Sequence, residues 1–432
     1  MIAAVALLVV IALIGAPLFT VLAAGGILAS YSADISPDIL IIEMNRLATS
    51  PNMIAIPLFT FAGVLMSNGG APQRLVNFYR AAFGWMPGGF AIVALGSCAF
   101  FTAYSGASGV TILALGGLLY PILRGEKYGE QFSLGMLTTS GSLGLLFPPS
   151  LAILVYGIVS GVGIEKMFLA GLVPGTLLMV MLALYSMFYG TRSHAIKHEF
   201  DFKTLAASIK GSIWDLLLPV GVITGIFGGF VSIMEAAAVT AAYVIIVEVF
   251  VYHEINLRRQ FFGLLVETCV LFGSLLAILL VALGLTNLLI DAQLPMKLLN
   301  TIEQHISSPL QFLLALNLFL LVVGAIMDIF SALIVVVPLI FPLALRYGID
   351  PIHLGIIFLA NLEIGYSTPP VGINLFIASQ RFGKPVATLF KSTLPFLLIM
   401  FVWLLMVTYI PELSLWWQPE AEPSKVIMPP PT

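Results

Sequence analysis

Two clusters of small and oxygen-bearing residues interrupt long apolar stretches of this chain of 432 residues. The first cluster is Ser105-Gly106-Ala107-Ser108-Gly109, and the second contains Gly324 and Asp328. A double proline follows each cluster, Pro148-Pro149 and Pro369-Pro370, and it removes two backbone donors and leaves carbonyl oxygens free. Hydroxyl, carbonyl and carboxylate oxygens are ligands that suit a hard cation. We therefore predict two cation sites, with sodium as the ion.

The two clusters belong to an internal duplication of the sequence. The double prolines lie 221 positions apart, and flanking residues repeat at the same distance. The matched pairs are Pro121 with Pro342, Gly144 with Gly365, and Pro174 with Pro395. A single proline or glycine in a membrane helix most often marks a packing kink, because both residues are frequent there. Their occurrence at matched positions in both halves favours two related sites instead.

The composition places these clusters in a membrane protein. Hydrophobic residues make up 60% of the chain and charged residues 9%, whereas a soluble domain carries about a quarter charged residues. The apolar runs exceed the roughly 20 residues of a membrane-spanning helix and lack the alternation of barrel strands. We predict an all-α polytopic membrane protein. Its predicted spans are 2–31, 53–70, 131–162, 167–190, 214–230, 232–252, 262–290, 351–380 and 389–411. The net charge of −3 and the absence of a dense basic stretch give no reason to expect nucleic acid.

Two further apolar segments, 88–123 and 309–345, are too long for one span and are interrupted near their centres by the two clusters. Non-helical backbone at membrane depth is tolerated only where protein or a watery cavity satisfies it, so we predict re-entrant hairpins with a site at their tips. Five predicted spans separate the hairpins, and an odd number makes the repeats inverted. The basic residues agree, because 13 Lys and Arg fall on one side of the membrane and 5 on the other. Inverted repeats with two hairpins and two broken helices are typical of secondary transporters.

A substrate cavity is predicted beside the cation sites. The residues assigned to it are Ser108, Ser150, Glu363, Pro370 and Asn374. Glu363 is included because it lies five residues before Thr368, next to the second double proline. Asp328 lies deep within its apolar segment, where a carboxylate is costly and usually functional.

Several motifs of the chain recur in a known family. They include Ile56-Pro57-Leu58-Phe59, Ser105-Gly106-Ala107-Ser108, Pro148-Pro149-Ser150 and Glu235-Ala236-Ala237-Ala238. The most specific is Asn361-Leu362-Glu363-Ile364-Gly365-Tyr366-Ser367-Thr368-Pro369-Pro370-Val371-Gly372-Ile373-Asn374-Leu375-Phe376. With these motifs the sequence resembles, along essentially its whole length, the large membrane subunit of tripartite ATP-independent periplasmic (TRAP) transporters.

The resemblance implies a sodium-coupled importer that moves a small organic acid across the bacterial inner membrane by an elevator mechanism. It implies a mobile domain built from 88–165 and 309–386. The scaffold is then formed by 1–87, 166–308 and 387–411, with a tail at 412–432. The implied partners are a separate small membrane subunit, a soluble periplasmic binding protein and membrane lipid. No cofactor other than the coupling sodium ions and no catalysis are expected.

The resemblance also assigns ligands to the two sodium sites. By motif, the first site consists of Ser105, Ala107, Gly144 and Pro149. The second site consists of Gly324, Ala325, Asp328, Gly365 and Thr368. Family members often have serine at the position of Ala107, so here this ligand keeps only its backbone carbonyl.

Two other functional classes share single features with this chain. Gly106-Ala107-Ser108-Gly109 fits the Gly-x-Ser-Gly pattern of rhomboid-like intramembrane serine proteases, but such an enzyme needs a histidine near the serine. Four histidines, His194, His198, His253 and His305, fall in predicted connectors, and His353 falls near a helix start. The other class is a channel or an ATP-driven permease. The chain has no Walker-type loop, and paired broken helices favour alternating access over an open pore.

Overall fold

The computed structural model describes residues 7–8, 10–11, 16–32, 36–86, 88–193, 199–291, 306 and 308–418, and every regular element in these ranges is helical. Parts of the predicted span 2–31 and of the predicted tail 412–432 lie outside the described residues. Eight described helices are long and apolar enough to cross a membrane. A ninth span results if the pair Glu130–Leu146 and Leu151–Ser160, bent by 46°, counts as one.

Four helices with described bounds precede the first hairpin. They are α1 (Leu18–Ser32), α2 (Asp38–Ala48), α3 (Ala55–Asn68) and α4 (Ala71–Phe83), with a 3₁₀ turn at Pro51–Ile54. The predicted span 53–70 corresponds to α3, which is wholly apolar between Ala55 and Gly63 except for Thr60. The Thr60 hydroxyl donates to the Ile56 carbonyl of its own helix at 2.7 Å, so it adds no unpaired polar group.

The first repeat contains the predicted hairpin and broken helix. Its elements are α5 (Gly89–Ser105), α6 (Ser108–Gly125), α7 (Glu130–Ser140), a 3₁₀ turn (Leu143–Leu146), α8 (Leu151–Ser160) and α9 (Ile164–Arg192). The chain turns between α5 and α6 at Gly106, which has a φ of 65°. This left-handed conformation favours glycine, and the Leu151 side chain packs directly on it. The hairpin tip therefore lies against the break of the following helix.

Between the repeats, the described residues form three helices: α10 (Phe202–Phe227), α11 (Ile233–Ile245, continued as a π-helical segment at Ile246–Val251) and α12 (Leu257–Asp291). Helix α10 begins well before the predicted span 214–230. The cause is Asp201, whose carboxylate caps the helix by accepting from the N–H groups of Lys203 and Thr204. The Thr204 hydroxyl and these two N–H groups hold the pKa of Asp201 below its ordinary value.

The second repeat follows the same order. It contains α13 (Pro309–Ile326), α14 (Ile329–Arg346), α15 (Pro351–Gly365), α16 (Ile373–Phe382), α17 (Val386–Tyr409) and α18 (Glu412–Leu415). Helix α15 is buried on all sides from Ile352 to Gly365, so it forms the centre of the core. The predicted span 351–380 is divided between α15 and α16 by the break at the second double proline.

Helix boundaries in the two repeats agree at the offset of 221 found in the sequence. The agreeing positions are Ser105 with Ile326, Ser108 with Ile329, Gly125 with Arg346, and Glu130 with Pro351. Both double prolines contain a cis peptide bond. The duplication predicted from scattered prolines and glycines is thus a duplication of the helices themselves.

Contacts between the repeats are reciprocal. Helix α6 packs against α16, and its counterpart α14 packs against α8. Likewise α7 packs against α17, and its counterpart α15 packs against α9. Reciprocal contacts of this kind are expected of two units related by a twofold axis, because each contact then occurs twice. This is the arrangement that inverted repeats produce, and the hairpins and broken helices of the predicted fold class are confirmed.

An ion-pair network ties the remaining helices together outside the repeats. Arg74 of α4 donates through Nε to Asp215 of α10 at 2.6 Å and through Nη2 to Glu248 of the π-helical segment at 2.6 Å. It also pairs with Glu254, and its guanidinium lies 3.6 Å from the centre of the Tyr252 ring. Asp215 and Glu248 are almost fully buried, so Arg74 is needed to neutralise them.

Candidate functional site

The two hairpin tips face one another across a common cavity of about 300 Å³. Residues 106–110 of the first tip and 328–330 of the second tip line it, together with Tyr366 and Ile373. A second cavity of about 250 Å³ shares Gly106, Ala107, Asp328 and Phe330 with the first and extends to α12. The structure therefore brings together two tips that are separated by 221 positions in the sequence.

Beside the first predicted sodium site lie two buried hydroxyls, those of Thr102 and Thr111, that the sequence motifs did not indicate. Thr102 Oγ1 lies 2.7 Å from Thr111 Oγ1 and donates to the Gly141 carbonyl at 2.7 Å. Ser105 Oγ lies 3.5 Å from Thr111 Oγ1 and 3.4 Å from the Ala107 carbonyl oxygen. Two threonines, one serine and two carbonyls thus converge at the base of the first tip. Such a set of oxygens can surround a small hard cation.

Gly144 and Pro149, also predicted for the first site, lie at the break between α7 and α8. Both are buried, and the Gly144 carbonyl accepts from Phe147 N at 3.1 Å. A Cβ atom at Gly144 would lie 2.3 Å from Ala103 N and from the Ala99 carbonyl oxygen. The break therefore touches the backbone of α5 directly, one turn before the hairpin tip.

The second predicted sodium site has the matching backbone contact. A Cβ atom at Gly365 would lie 2.4 Å from the Gly324 carbonyl carbon and 2.8 Å from Ala325 N. Gly365 and Gly324 stand 221 positions after Gly144 and Ala103, so the same close approach occurs twice. The Ala325 carbonyl accepts from the N–H groups of residues 371 and 372, at 3.1 and 3.0 Å.

Thr368 and Asp328 complete this second group. Thr368 Oγ1 donates to the Ile364 carbonyl at 2.9 Å, which leaves its oxygen lone pairs free to accept a cation. The Asp328 carboxylate caps α14, because Oδ1 accepts from Phe330 N at 3.0 Å and from Ser331 N at 3.1 Å. Asp328 also lines both cavities, so its charge faces the space between the tips.

The residues predicted to line a substrate cavity lie in different surroundings. Ser108 lies on the cavity wall and donates to Asn374 Oδ1 at 2.7 Å, which joins the first tip to α16. Pro370 is exposed. Ser150 is fully buried, and its hydroxyl has no hydrogen-bond partner among the described residues. Glu363 is also fully buried and does not reach either cavity between the tips.

Ser108 does not have the surroundings of a protease nucleophile. Its hydroxyl donates to an amide oxygen, whereas a serine nucleophile is hydrogen-bonded to a base such as histidine. His353 lies at the start of α15, where its ring nitrogens lie 3.2 Å from Ser414 Oγ and from the Thr408 carbonyl oxygen. These contacts hold α15 to the end of α17 and to α18.

Three helix N-termini open toward the cavity between the tips. Helices α6, α14 and α16 begin at Ser108, Ile329 and Ile373, all of which line it. The N-terminus of a helix carries a partial positive charge and free N–H groups, which attract an anion. Helix α14 is capped by Asp328, whereas α6 and α16 have no side-chain cap.

Comparison with known proteins identifies the family of this chain. Residues 4–413 match the family model described as "Tripartite ATP-independent periplasmic transporter, DctM component". The chain belongs to this family. It is 36% identical over 378 residues to the C4-dicarboxylate TRAP transporter large permease protein DctM of Pseudomonas aeruginosa, covering 87% of this chain and 88% of that protein. It is 34% identical over 403 residues to the isethionate TRAP transporter permease protein DctMQ of Oleidesulfovibrio alaskensis, covering 93% of this chain and 62% of that longer protein.

A solved structure shares the fold of this DctM-family chain. The crystal structure of the Alcanivorax borkumensis YdaH transporter, which has an unusual topology, matches with a TM-score of 0.57. The match covers 85% of this chain and 86% of the YdaH chain at 14% sequence identity, and at that identity it shows the fold alone. The all-helical membrane fold and the family predicted from the sequence motifs are both confirmed.

Proposed function

We propose that this chain is the large membrane subunit of a sodium-driven importer for a small organic anion in the bacterial inner membrane. The observation that carries the proposal is that two helix breaks, at residues 144–149 and 365–370, and two hairpin tips lie around one cavity. Each helix break is called a corner below. Cation ligands at the corners and helix N-termini at the tips allow sodium and a carboxylate to be held side by side. The membership of the DctM family supports the same activity.

In this proposal, sodium binds at the two sites assigned from the sequence. The first site consists of Ser105, Ala107, Gly144 and Pro149, and the hydroxyls of Thr102 and Thr111 join them. The second is formed by Gly324, Ala325, Asp328, Gly365 and Thr368. The geometry that supports this is the repeated backbone contact at Gly144 and Gly365, which places each broken helix against its own hairpin.

The substrate anion occupies the cavity between the tips. The N-termini of α6 and α16, with Ser108 and Asn374, are the groups that we assign to it. Both named substrates of the compared relatives, a C4-dicarboxylate and isethionate, are small organic anions, which supports this class of substrate. Transport then follows from sliding of the hairpin-bearing segments 88–165 and 309–386 against the remaining helices, as an elevator.

Two partners complete the proposed importer. A small membrane subunit extends the scaffold, and a longer relative named DctMQ supports a second membrane component. A soluble periplasmic binding protein delivers the substrate, as the family description of a tripartite periplasmic system indicates. Membrane lipid surrounds the exposed apolar faces, such as Phe188, Phe262 and Leu318.

Uptake into proteoliposomes tests the proposal. The chain and its small membrane partner are reconstituted, and labelled C4-dicarboxylate or isethionate is added outside with candidate binding proteins. We expect accumulation only with both an inward sodium gradient and a binding protein, and no accumulation when potassium replaces sodium. Robust flux without either component would refute the importer and indicate a channel or another type of carrier.

A further inference from the structure

A polar cavity of about 410 Å³ lies between α4 and the segment that enters α10. On the α4 side, Asn77 and Arg80 line it, and on the α10 side Glu199, Asp201 and Ser208 line it. It shares no lining residue with the two cavities between the hairpin tips. The cavity is therefore separate from the proposed sodium and substrate sites.

The surroundings of this cavity place it at a membrane boundary. Phe90, in the first turn of α5, lines it, and the preceding Gly88 lies against Met187 near the end of the membrane-spanning helix α9. Trp85 also lines the cavity, and its exposed ring packs edge-on against the exposed ring of Phe200, with the ring centres 5.9 Å apart. Tryptophan at the ends of membrane helices is typical of the headgroup layer.

Arg80 is held in place but forms no ion pair with a carboxylate of the described residues. Its guanidinium carbon lies 5.4 Å from the centre of the Phe90 ring, and its side chain is exposed. Arg74, two turns earlier in the same helix, pairs instead with three carboxylates. Two carboxylates line the cavity together with Arg80 and do not pair with it, so the cavity keeps opposite charges apart.

The two acidic side chains of the cavity differ in what they can still bind. Asp201 already accepts from the N–H groups of Lys203 and Thr204, so its carboxylate is engaged in capping α10. Glu199 lies before the helix and is exposed, so it can accept from a ligand. The cavity thus offers a guanidinium to an anionic group and a carboxylate to a cationic group of the same molecule.

We propose that this cavity binds the headgroup of a phosphoethanolamine phospholipid of the surrounding membrane. Arg80 donates to the phosphate, because a guanidinium matches phosphate oxygens with two parallel N–H groups. The primary ammonium, two carbons further along the headgroup, donates to Glu199. The position at the membrane boundary favours a lipid over a soluble phosphate compound, since the acyl chains then remain in the bilayer. A lipid bound there joins α4 to the start of α10.

Thermal unfolding in detergent, after lipid has been removed, tests the proposal. A ligand of the folded state raises the melting temperature, so short-chain phosphatidylethanolamine should stabilise the wild type. Phosphatidylcholine and phosphatidylglycerol with the same chains should stabilise it less, because neither has an ammonium N–H to donate to Glu199. Arg80→Gln should weaken the apparent affinity for phosphatidylethanolamine roughly tenfold, the loss expected for one hydrogen bond between charged groups. Glu199→Gln should remove the preference for phosphatidylethanolamine over phosphatidylcholine.

The matched control is Arg192→Gln, which removes an exposed arginine at the end of α9 that does not line the cavity. It should keep the lipid response of the wild type. Equal responses of Arg80→Gln and Arg192→Gln would overturn the site. Equal stabilisation of the wild type by phosphatidylglycerol would overturn the ammonium contact, and equal stabilisation by soluble glycerophosphoethanolamine would overturn the lipid as the ligand.

Tryptophan fluorescence supplies a second readout that does not depend on the folding of Arg80→Gln. Phosphatidylethanolamine carrying bromine on its acyl chains near the headgroup should quench the fluorescence of Trp85. The quenching should be smaller in Trp85→Phe, and an equal loss of fluorescence in both proteins would contradict binding at this cavity. Neither measurement needs a sodium gradient or a binding protein, so a negative result would leave the proposed transport function intact.

Discussion

The close approach of α15 to the second hairpin can be tested by adding one methyl group. In Gly365→Ala, the new Cβ atom would lie 2.4 Å from the Gly324 carbonyl carbon and 2.8 Å from Ala325 N. Both neighbours are backbone atoms, so no side-chain rotation can relieve the contact. The two segments must separate by roughly 1 Å, and overpacking of this kind typically costs about 1–3 kcal/mol. The same separation moves the Ala325 carbonyl away from Thr368, the partner that we assign to it in the second sodium site.

Thermal unfolding in detergent, measured with and without sodium, separates the two effects of this substitution. A ligand that binds only the folded state raises the melting temperature, and it does so more strongly the further its concentration exceeds its Kd, so sodium should stabilise the wild type. We expect Gly365→Ala to melt at a lower temperature and to show a smaller stabilisation by sodium. Gly144→Ala should behave in the same way, because its Cβ atom would lie 2.3 Å from backbone atoms of α5.

A helical glycine with open space around it provides the control. Gly221 of α10 has no atom within 4 Å of an added Cβ, so Gly221→Ala should be neutral or stabilising by up to about 1 kcal/mol. The reasoning would be refuted if Gly365→Ala and Gly144→Ala both kept the melting temperature and the sodium response of Gly221→Ala. A loss of stability with an unchanged sodium response would support the packing argument and would contradict sodium binding next to Gly144 and Gly365.

Three further substitutions test individual side chains. Asp328→Asn should fold, because asparagine also caps a helix, but it should lose sodium-coupled uptake in proteoliposomes; wild-type uptake would remove the carboxylate from the ion site. Thr368→Val should raise the sodium concentration for half-maximal uptake, and an unchanged value would make the hydroxyl structural. Arg74→Met leaves two buried carboxylates unpaired and should lower the free energy of unfolding by about 3–5 kcal/mol. Equal losses in Arg74→Met and in the exposed control Arg258→Met, measured by denaturation in detergent, would contradict that role.

The sequence predicted the hairpins and broken helices because glycine and proline act locally. Gly106 has a positive φ, and the two double prolines lie where α7 and α15 give way to the next helix. At these positions the helices end, whereas single prolines such as Pro121 and Pro342 lie inside the continuous helices α6 and α14. Their repetition at one offset then revealed the duplication, since the helix ends follow the same offset.

The two threonine hydroxyls that we add to the first sodium site could not be identified from the sequence. Thr102 and Thr111 look like many other hydroxyl residues in apolar helices, which bond a carbonyl of their own helix. Thr138 does so, donating to the Leu134 carbonyl at 2.7 Å. Only the folding of α5, α6 and the break after α7 onto one another places Thr102 beside Thr111 and Gly141.

The prediction that Glu363 lines the cavity used its short distance from Thr368 in the sequence. Each residue of a helix turns the side-chain direction by about 100°, so five residues place the two side chains on different faces. The helix also ends at Gly365, before Thr368 is reached. Proximity along the chain therefore did not place Glu363 on the wall of either cavity between the tips.

The two hairpin tips join helices with matching boundaries but differ in charge, and this difference separates a place for an anion from a place for a cation. Helix α14 begins at Asp328, whose carboxylate occupies the N–H groups at that end. Helix α6 begins after Ala107, which has no side chain that can cap, so its N–H groups remain open toward the cavity. An anion is attracted by the open helix end and repelled by Asp328, whereas a sodium ion is attracted by Asp328. In the proposed importer, a duplicated hairpin with one uncapped and one acid-capped tip would hold a carboxylate and sodium in defined places, which two identical tips could not do.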